Sequence, residues 1–321
     1  MDPLSDVLRT VRLTGAVFFD VLASEPWVAE TPPGRDIVGA IFPGAEHLIS
    51  YHVVARGECW GHVVGEPPRR LQAGDVIVFP HGDPHVMSSA PGMRGLPDVG
   101  LYRPPADGRL PFTITMGSER PHPARLVCGF LGWDARPFNP LLAALPPVMH
   151  VSDDGTSAIG LLVRMAMAES EGPRSGAACM LGRLSELMFV DVVRRYLDTL
   201  PPERTGWLAA LRDGFVGRAL AALHAHPARP WTLESLGREV GLSRSALAER
   251  FAELVGQPPM QYLTNWRMQL AANLLVSGQE SVAEIADRVG YESEAAFSRA
   301  FKKVVGVPPG GWRKHGAASA R

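Results

Sequence analysis

His52, Cys59, His81, His85 and Cys128 are the side chains of the amino-terminal half whose types could do chemistry together. Imidazole and thiolate suit Zn²⁺, so zinc is the candidate cofactor, held by His52 and His85 and completed by Cys59, Cys128 or His81. Spacing alone does not define such a site. There is no Cys-x-x-Cys pair and no His-x-x-x-His helix, and His81 and His85 fall on the predicted loop His81-Gly-Asp-Pro-His85. The same thiols offer a second chemistry, because a cysteine beside a histidine or a metal has a lowered pKa and meets oxidants as thiolate. The third is binding of a small organic effector in a pocket by His52 and His85, oriented by Arg56 and Trp60. Plain packing competes with all three, since a single buried histidine or cysteine usually needs no ligand.

A different chemistry repeats near the carboxyl end. The stretch from Trp231 to Trp312 carries WTLESLGREVGLSRSALAERFAELVGQPP and then SVAEIADRVGYESEAAFSRAFKKVVGVPP. Thr232 and Ser281 stand where a helix N-cap belongs, and Ser281 with Glu284 has capping-box spacing. Leu236 and Val240 match Ile285 and Val289, the four-residue step of one buried helix face. Gly241 and Gly290 follow, where a left-handed residue lets the chain turn. A second helix then begins near Ser243 or Ser293, with Leu247 and Phe251, or Phe297 and Phe301, on its inner face. Each copy closes on Gly-x-Pro-Pro, at Gly256 and Gly306.

Helix, glycine turn and helix describe a helix-turn-helix, whose second helix can enter the DNA major groove. With the inner faces assigned, Arg244, Ser245, Ala248 and Glu249 point outward in the first copy. Glu294, Ala295, Ser298, Arg299 and Lys302 do so in the second. Joined by the helical segment Met260 to Val276, the two would meet successive major grooves, ~34 Å apart. A small helical bundle with solvated faces is the bland alternative, and two copies in register argue against it.

The segments LSRSALAERF, GQPPMQYLTNWRMQLAANLL and IADRVGYESEAAFSRAFKKVVGVPPGGWR, in that order, resemble the paired helix-turn-helix domain of AraC/XylS-type transcription regulators. The resemblance implies base-reading positions at Ser245 and Glu249, then at Glu294, Ala295 and Arg299. Glutamate can accept from cytosine N4, and arginine can bind guanine bidentately or hold a phosphate. Gly74, Asp75, Pro80, Gly82 and His85 resemble the second motif of cupin barrels, although the His-x-His pair of the first motif is missing. Met1 to about Val151 is similar to the cupin-type sensor of one branch of the AraC group. That likeness puts Arg56 where sugar-sensing members hold a ligand, and some similar regulators respond to reactive oxidants.

Short elements must position these residues. Leu4, Val7, Leu8 and Val11 predict an N-terminal helix. Phe18 to Ser24 and Ile37 to Phe42 read as strands separated by the breakers of Glu30-Thr-Pro-Pro-Gly34. Glu46 to Val64 is the most β-like stretch, with His52, Val54 and Arg56 alternating onto one face. Gly74 to Pro80 is a turn and buried strand, and Leu126 to Phe130 a late strand. Helices are expected from Ser157 to Leu200. One apolar stripe is Leu161, Leu162 and Met165; after Gly172-Pro173 comes Met180, Leu184, Leu187, Met188, Val192 and Tyr196. Such stripes fill a core or form the seam of a homodimer. The expected class is multidomain α+β: a cupin-like barrel sensor over 1–151, a helical dimerisation and linker segment over 152–204, and an all-α paired helix-turn-helix domain over 205–321, with the linker starting at Pro201-Pro202-Glu203-Arg204.

Composition narrows the class further. The 321 residues are 46% hydrophobic, as in ordinary globular cores. The net charge of −1 divides unevenly, with 14 basic against 10 acidic side chains from residue 206 onward and 18 against 23 before it. The basic part carries the repeated motif. Asp2, Asp6, Arg9 and Arg12 interrupt any signal-peptide core, no apolar run is long enough for a membrane span, and three scattered cysteines are no disulfide framework. With the AraC/XylS-type resemblance, these features imply a cytoplasmic homodimer that binds double-stranded promoter DNA, answers to a small-molecule or redox effector, and meets RNA polymerase if it activates. The rivals are a cupin-type metalloenzyme, such as a dioxygenase, fused to a DNA-binding module, and a structural nucleoid protein.

Overall fold

The computed structural model describes residues 2–11, 13–42, 45–102, 110–117, 123–133, 137–152, 158–171, 175–201 and 204–319. In chain order the first elements are α1 (Pro3–Thr10), β1 (Leu13–Ala23), β2 (Val28–Thr31), α2 (Gly34–Ile41), β3 (His47–Arg56) and β4 (Glu58–Val63). Then follow β5 (Arg69–Gln72), β6 (Val76–Phe79), β7 (His85–Ser88), β8 (Phe112–Met116), β9 (Ala124–Trp133), α3 (Pro140–Ala144) and β10 (Met149–Val151). The remainder is helical: α4 (Ala158–Glu171), α5 (Ala177–Thr199), α6 (Trp207–Arg212), α7 (Val216–Ala225), α8 (Leu233–Val240), α9 (Arg244–Val255), α10 (Pro259–Ser277), α11 (Val282–Arg288), α12 (Glu294–Val305) and α13 (Pro309–Ser319). The predicted break at Gly172-Pro173, the helix start at Ser157 and the linker residues Pro202 and Glu203 lie outside the described residues.

The chain divides into two compact units, and their membership differs from the expected boundaries. One unit holds Leu13–Asp134 and Leu145–Thr199; the other holds Met1–Arg12, Ala135–Ala144 and Leu200–Arg321. The N-terminal helix therefore belongs with the carboxyl-terminal helices. Its residues Leu4 and Val7 are buried there, and the Asn273 side chain donates to the Thr10 carbonyl. The segment before α3 behaves alike, since Phe138 N–H donates to Gln269 Oε1 at 2.9 Å.

The β unit contains a six-stranded sheet in the order β10-β6-β3-β9-β1-β8 and a four-stranded sheet in the order β2-β7-β4-β5. Among the described residues only the β1–β8 pair is parallel. One core is shared between the sheets, with Phe19, Val54, Leu126 and Phe130 from the first and Cys59, Val63, Leu71 and Met87 from the second. Helix α5 covers the outer face of the larger sheet: Tyr51 Oη lies 2.8 Å from Ser185 Oγ, and Trp133 meets Phe189 edge-on at 5.2 Å.

Three local expectations fail. Ile37 to Phe42 lies not in a strand but in α2 and its cap, because Pro33 starts a turn of helix that buries Ile37 and Ile41 four residues apart. His85 is not on a loop but opens β7, paired with Thr31 and Val63. Arg56 does not share a face with His52. His52 pairs with Cys128 and Val54 with Leu126, but a bulge at Ala55 then sets Arg56 opposite Arg125, which turns it to the other side.

In the helical unit, α10 is buried on more than one side, through Tyr262, Leu263, Trp266, Met268, Ala271, Ala272 and Leu275. A helix apolar around much of its circumference belongs inside a core. Around its carboxyl half pack Ile285, Val289, Phe297 and Phe301. Among the described residues no helix is long and apolar enough to cross a membrane.

Gly241 and Gly290 make a matched test of the two turns. Both have φ near +80°, but a Cβ at Gly241 would meet nothing within 4 Å, whereas one at Gly290 would lie 2.5–2.9 Å from the Ala228 backbone. Gly241→Ala should lower unfolding free energy by about 1–2 kcal/mol, the left-handed strain alone. Gly290→Ala should cost clearly more, read from the denaturation midpoint at unchanged slope.

Candidate nucleic-acid interface and sensor-unit pocket

Each second helix of the repeat is shaped by its ends. Ser243 and Ser293 cap α9 and α12 by accepting from the N–H of Ala246 and Ala296, both at 3.2 Å. Gly256 and Gly306 end them in the left-handed conformation. The helices before them carry capping boxes, Thr232 with Ser235 and Ser281 with Glu284. Leu247 and Phe251, like Phe297 and Phe301, are fully buried, so the opposite faces are left to solvent.

On those faces Arg244, Ser245 and Glu249 are exposed on α9, with Ala248 half-buried. Glu294, Ala295, Arg299 and Lys302 are exposed on α12, with Ser298 half-buried. Lys303, four residues after Arg299 on the same helix, is exposed too, a position the helical step alone implies. Arg250 is a different kind of cation. It grips Asp213 through two nitrogens at 2.5–3.2 Å, and this ion pair is the main reason the Asp213 carboxyl is held down to about 2. Asp213 also accepts from the N–H groups of Phe215 and Val216 that open α7, so Arg250 braces α9 and is not free to read bases.

The β unit holds a partly open pocket whose cavity volume is about 20 Å³. Its walls are largely apolar: Phe19, Val21, Trp27, Ala29, Met87, Leu101, Ile114, Met116 and Leu126. Thr31 Oγ1 and Tyr102 Oη lie 2.9 Å apart in one wall, and His52 and Cys128 form another part. Of the residues expected to bind an effector, His52 reaches the pocket and His85 stands behind it. Arg56 and Trp60 do not reach it. Arg56 is exposed beyond its bulge. Trp60 alternates with Cys59 and Gly61, whose side is the core, and so faces out. The apolar walls were not legible as a site, because such residues look the same in any core.

His52 is the centre of a hydrogen-bonded chain. His85 Nδ1 lies 3.0 Å from the Asp83 carbonyl, which can only accept, so that nitrogen carries the proton and His85 Nε2 is an acceptor. His52 Nε2, 3.0 Å away, must then donate, which leaves His52 Nδ1 with its lone pair toward Cys128 Sγ at 2.9 Å. The order is thiol to imidazole to imidazole to carbonyl, all neutral. Burial enforces this, pushing His52 well below the ordinary histidine value, His85 down to about 4 and the Cys128 thiol well up. Cys59 is pushed up to about 12 by burial first and the nearby Asp75 and Glu58 second. The expectation of an activated thiolate beside histidine is thus overturned, since desolvation disfavours the anion more than a neutral imidazole favours it.

This arrangement does not fit a zinc ion. Cys128 approaches one ring nitrogen of His52 and His85 the other, so a single cation cannot take all three. His81 is elsewhere, with Nε2 3.0 Å from the Leu145 carbonyl. Among the described residues no three His, Cys, Asp or Glu side chains converge as a metal-binding group.

Known proteins match both parts of the chain, and the Cupin match includes the segments of α1 and α3 that pack with the carboxyl-terminal helices. A family model described as Cupin matches residues 2–198, and one described as a helix-turn-helix domain matches residues 236–315. A Streptomyces lividans protein named as an AraC-like transcription regulator is 34% identical over 98% of this chain and 99% of its own length. The chain belongs to the AraC family of transcription regulators. A Streptomyces antibioticus protein of the same name is 32% identical, and the Acinetobacter baylyi transcriptional regulator AlkR 27%, each over 98% of this chain and 99% of its own. The AraC-type helix-turn-helix implies DNA binding, which makes α9 and α12 the candidate reading helices.

The neutral histidine chain has a pH signature. The unfolded chain takes up protons near the ordinary histidine value of 6.5, while folded His85 resists until about 4. Stability tied to neutral His85 is therefore complete above pH 6.5 and is lost as pH falls toward 4, by up to about 3 kcal/mol. Calorimetry between pH 7 and 5, above most carboxylate titrations, should show a falling β-unit transition in the natural protein and a flatter profile in His85→Gln.

Proposed function

We propose that this AraC-family regulator reads a defined DNA sequence through the outward faces of α9 and α12, and that a small, largely apolar molecule held in the β-unit pocket sets its activity. One observation carries the DNA part: in both copies the aromatic side of the second helix is sealed while its polar side is uncovered. On this reading Ser245, Glu249, Glu294, Ala295 and Arg299 meet base edges. Arg244, Ser298 and Lys302 hold the backbone, which positions without specifying. The effector part is supported by the pocket's apolar lining and few polar groups, the usual make-up of a small-molecule site.

The protein acts by binding rather than turnover, a reading supported by regulator names among its relatives. It works in the cytoplasm as a homodimer and contacts RNA polymerase where it activates. Support for the dimer comes from α4 and α5. Leu184, Met188 and Val192 are buried, whereas Leu161 and Leu187 are each 54% exposed, and Met165 and Met180 are exposed too. Four large apolar side chains facing water on two packed helices suit an isologous seam.

Selection from random DNA should return one motif. Against it, Arg299→Ala should bind about tenfold or more weakly in a gel-shift assay at fixed salt, the worth of one good base contact. Unchanged binding removes Arg299 from the reading set, and recovery of no motif removes sequence reading itself. Leu161→Glu with Leu187→Glu should convert the dimer to a monomer in sedimentation equilibrium; a dimer that persists places the seam elsewhere.

A further inference from the structure

We propose that Cys128 is a covalent capture site for a small apolar electrophile, an α,β-unsaturated carbonyl compound, with His52 as its base. This rests on the pocket reading above, with the apolar walls moving apart to admit the ligand, and gives the pocket a ligand class. Cys128 Sγ lines the pocket, and the lone pair of His52 Nδ1, 2.9 Å away, is the acceptor for its proton. The imidazole is oriented from behind by His85, itself fixed on the Asp83 carbonyl. A nucleophile, a base and a third group that aims the base are the parts of an activated nucleophile. A fourth part lies in the same pocket. In the Thr31–Tyr102 pair one hydroxyl donates to the other, so the acceptor of that bond keeps a proton free to donate to a carbonyl oxygen. Tyr102 stays protonated, because burial pushes it up to about 12. A donor aimed at the oxygen where enolate charge develops is a main source of rate in such additions.

The step balances without an oxidant. The Sγ–H proton moves to His52 Nδ1 as Sγ bonds to the β-carbon, and the alkene electron pair shifts through the α-carbon onto the carbonyl oxygen. The α-carbon then takes the proton back from His52. The net change is addition of S–H across C=C. The apolar lining favours a carbon electrophile over a charged one. The other cysteines provide internal contrast: Cys59 is buried in the same core with no imidazole among the described residues bonded to it, and Cys179 is exposed on α5.

The test treats the full chain with cyclohex-2-enone, with saturated cyclohexanone, and separately with hydrogen peroxide. Peptide mass mapping follows labelling at each cysteine, and thermal melting follows binding. Enone should label Cys128 about tenfold or more faster than Cys179 and leave Cys59 untouched. His52→Gln should slow only the Cys128 reaction, again about tenfold or more, as loss of a general base does. Folding of that variant is checked by circular dichroism, and the ratio of rates in the natural protein is independent of it. Cyclohexanone should raise the melting temperature of both the natural protein and Cys128→Ser. If enone labels only Cys179 while cyclohexanone still stabilises, covalent capture is wrong and the pocket stands. If neither compound stabilises and Cys128 stays unlabelled, the pocket reading falls with it. Oxidation of Cys128 by peroxide without enone labelling would overturn the proposal in favour of an oxidant site.

Discussion

Burial of α10 is the constraint from which the helical unit follows. Its Trp266, Tyr262 and Met268 are inside the unit, and the second helix-turn-helix builds its core on the carboxyl half of the same helix. At the amino half, Tyr262 Oη lies 2.8 Å from both Trp207 Nε1 and His224 Nε2, tying α6 and α7 to it. Phe251 of α9 meets Tyr262 edge-on at 5.8 Å. A rigid rod that supplies core to both copies turns two small motifs, each too short to bury much alone, into one body. The contact of Gly290 with Ala228 adds a direct brace between the second motif and the loop after α7.

The β unit depends on a different economy. Its sheets share an apolar core crossed by one polar line, from Cys128 on β9 through His52 on β3 to His85 on β7. A buried polar chain is tolerable only when every member finds a partner, and here the terminal carbonyl of Asp83 decides all the protons. The same neutrality that satisfies the core removes any standing thiolate. Chemistry at Cys128 must therefore bring its own driving force by moving the proton to His52 during bond formation. The chain also passes between the units repeatedly, since α1 and the residues around α3 belong to the helical unit while the strands following each belong to the β unit.

The helix-turn-helix repeat was readable because its determinants are local. Ser281 with Glu284, Gly241, Gly290 and the four-residue steps of Leu247–Phe251 and Phe297–Phe301 each act within a turn or two of chain, and all recur in the structure. The β unit was readable as short strands but not in its details. Ile37 to Phe42 has the composition of a strand, yet Pro33 and the burial of Ile37 with Ile41 make it helix. The bulge that turns Arg56 away leaves no mark in the sequence around Val54, because it is set by pairing with Arg125 on a strand far along the chain. His52, His85 and Cys128 lie within hydrogen-bonding reach of one another in a line, but whether such groups share an ion or a line of protons depends on which ring nitrogen each approaches. The home of α1 was likewise hidden, since an amphipathic helix does not name the surface it covers.

The central claim is that α9 and α12 act as a single reader held by α10. Hydroxyl-radical footprinting of the full chain on its selected operator tests this most directly. The account predicts two protected patches per protein copy on one face of the duplex, centred about ten base pairs apart, as successive major grooves require. One patch per copy, or two on opposite faces, would contradict it.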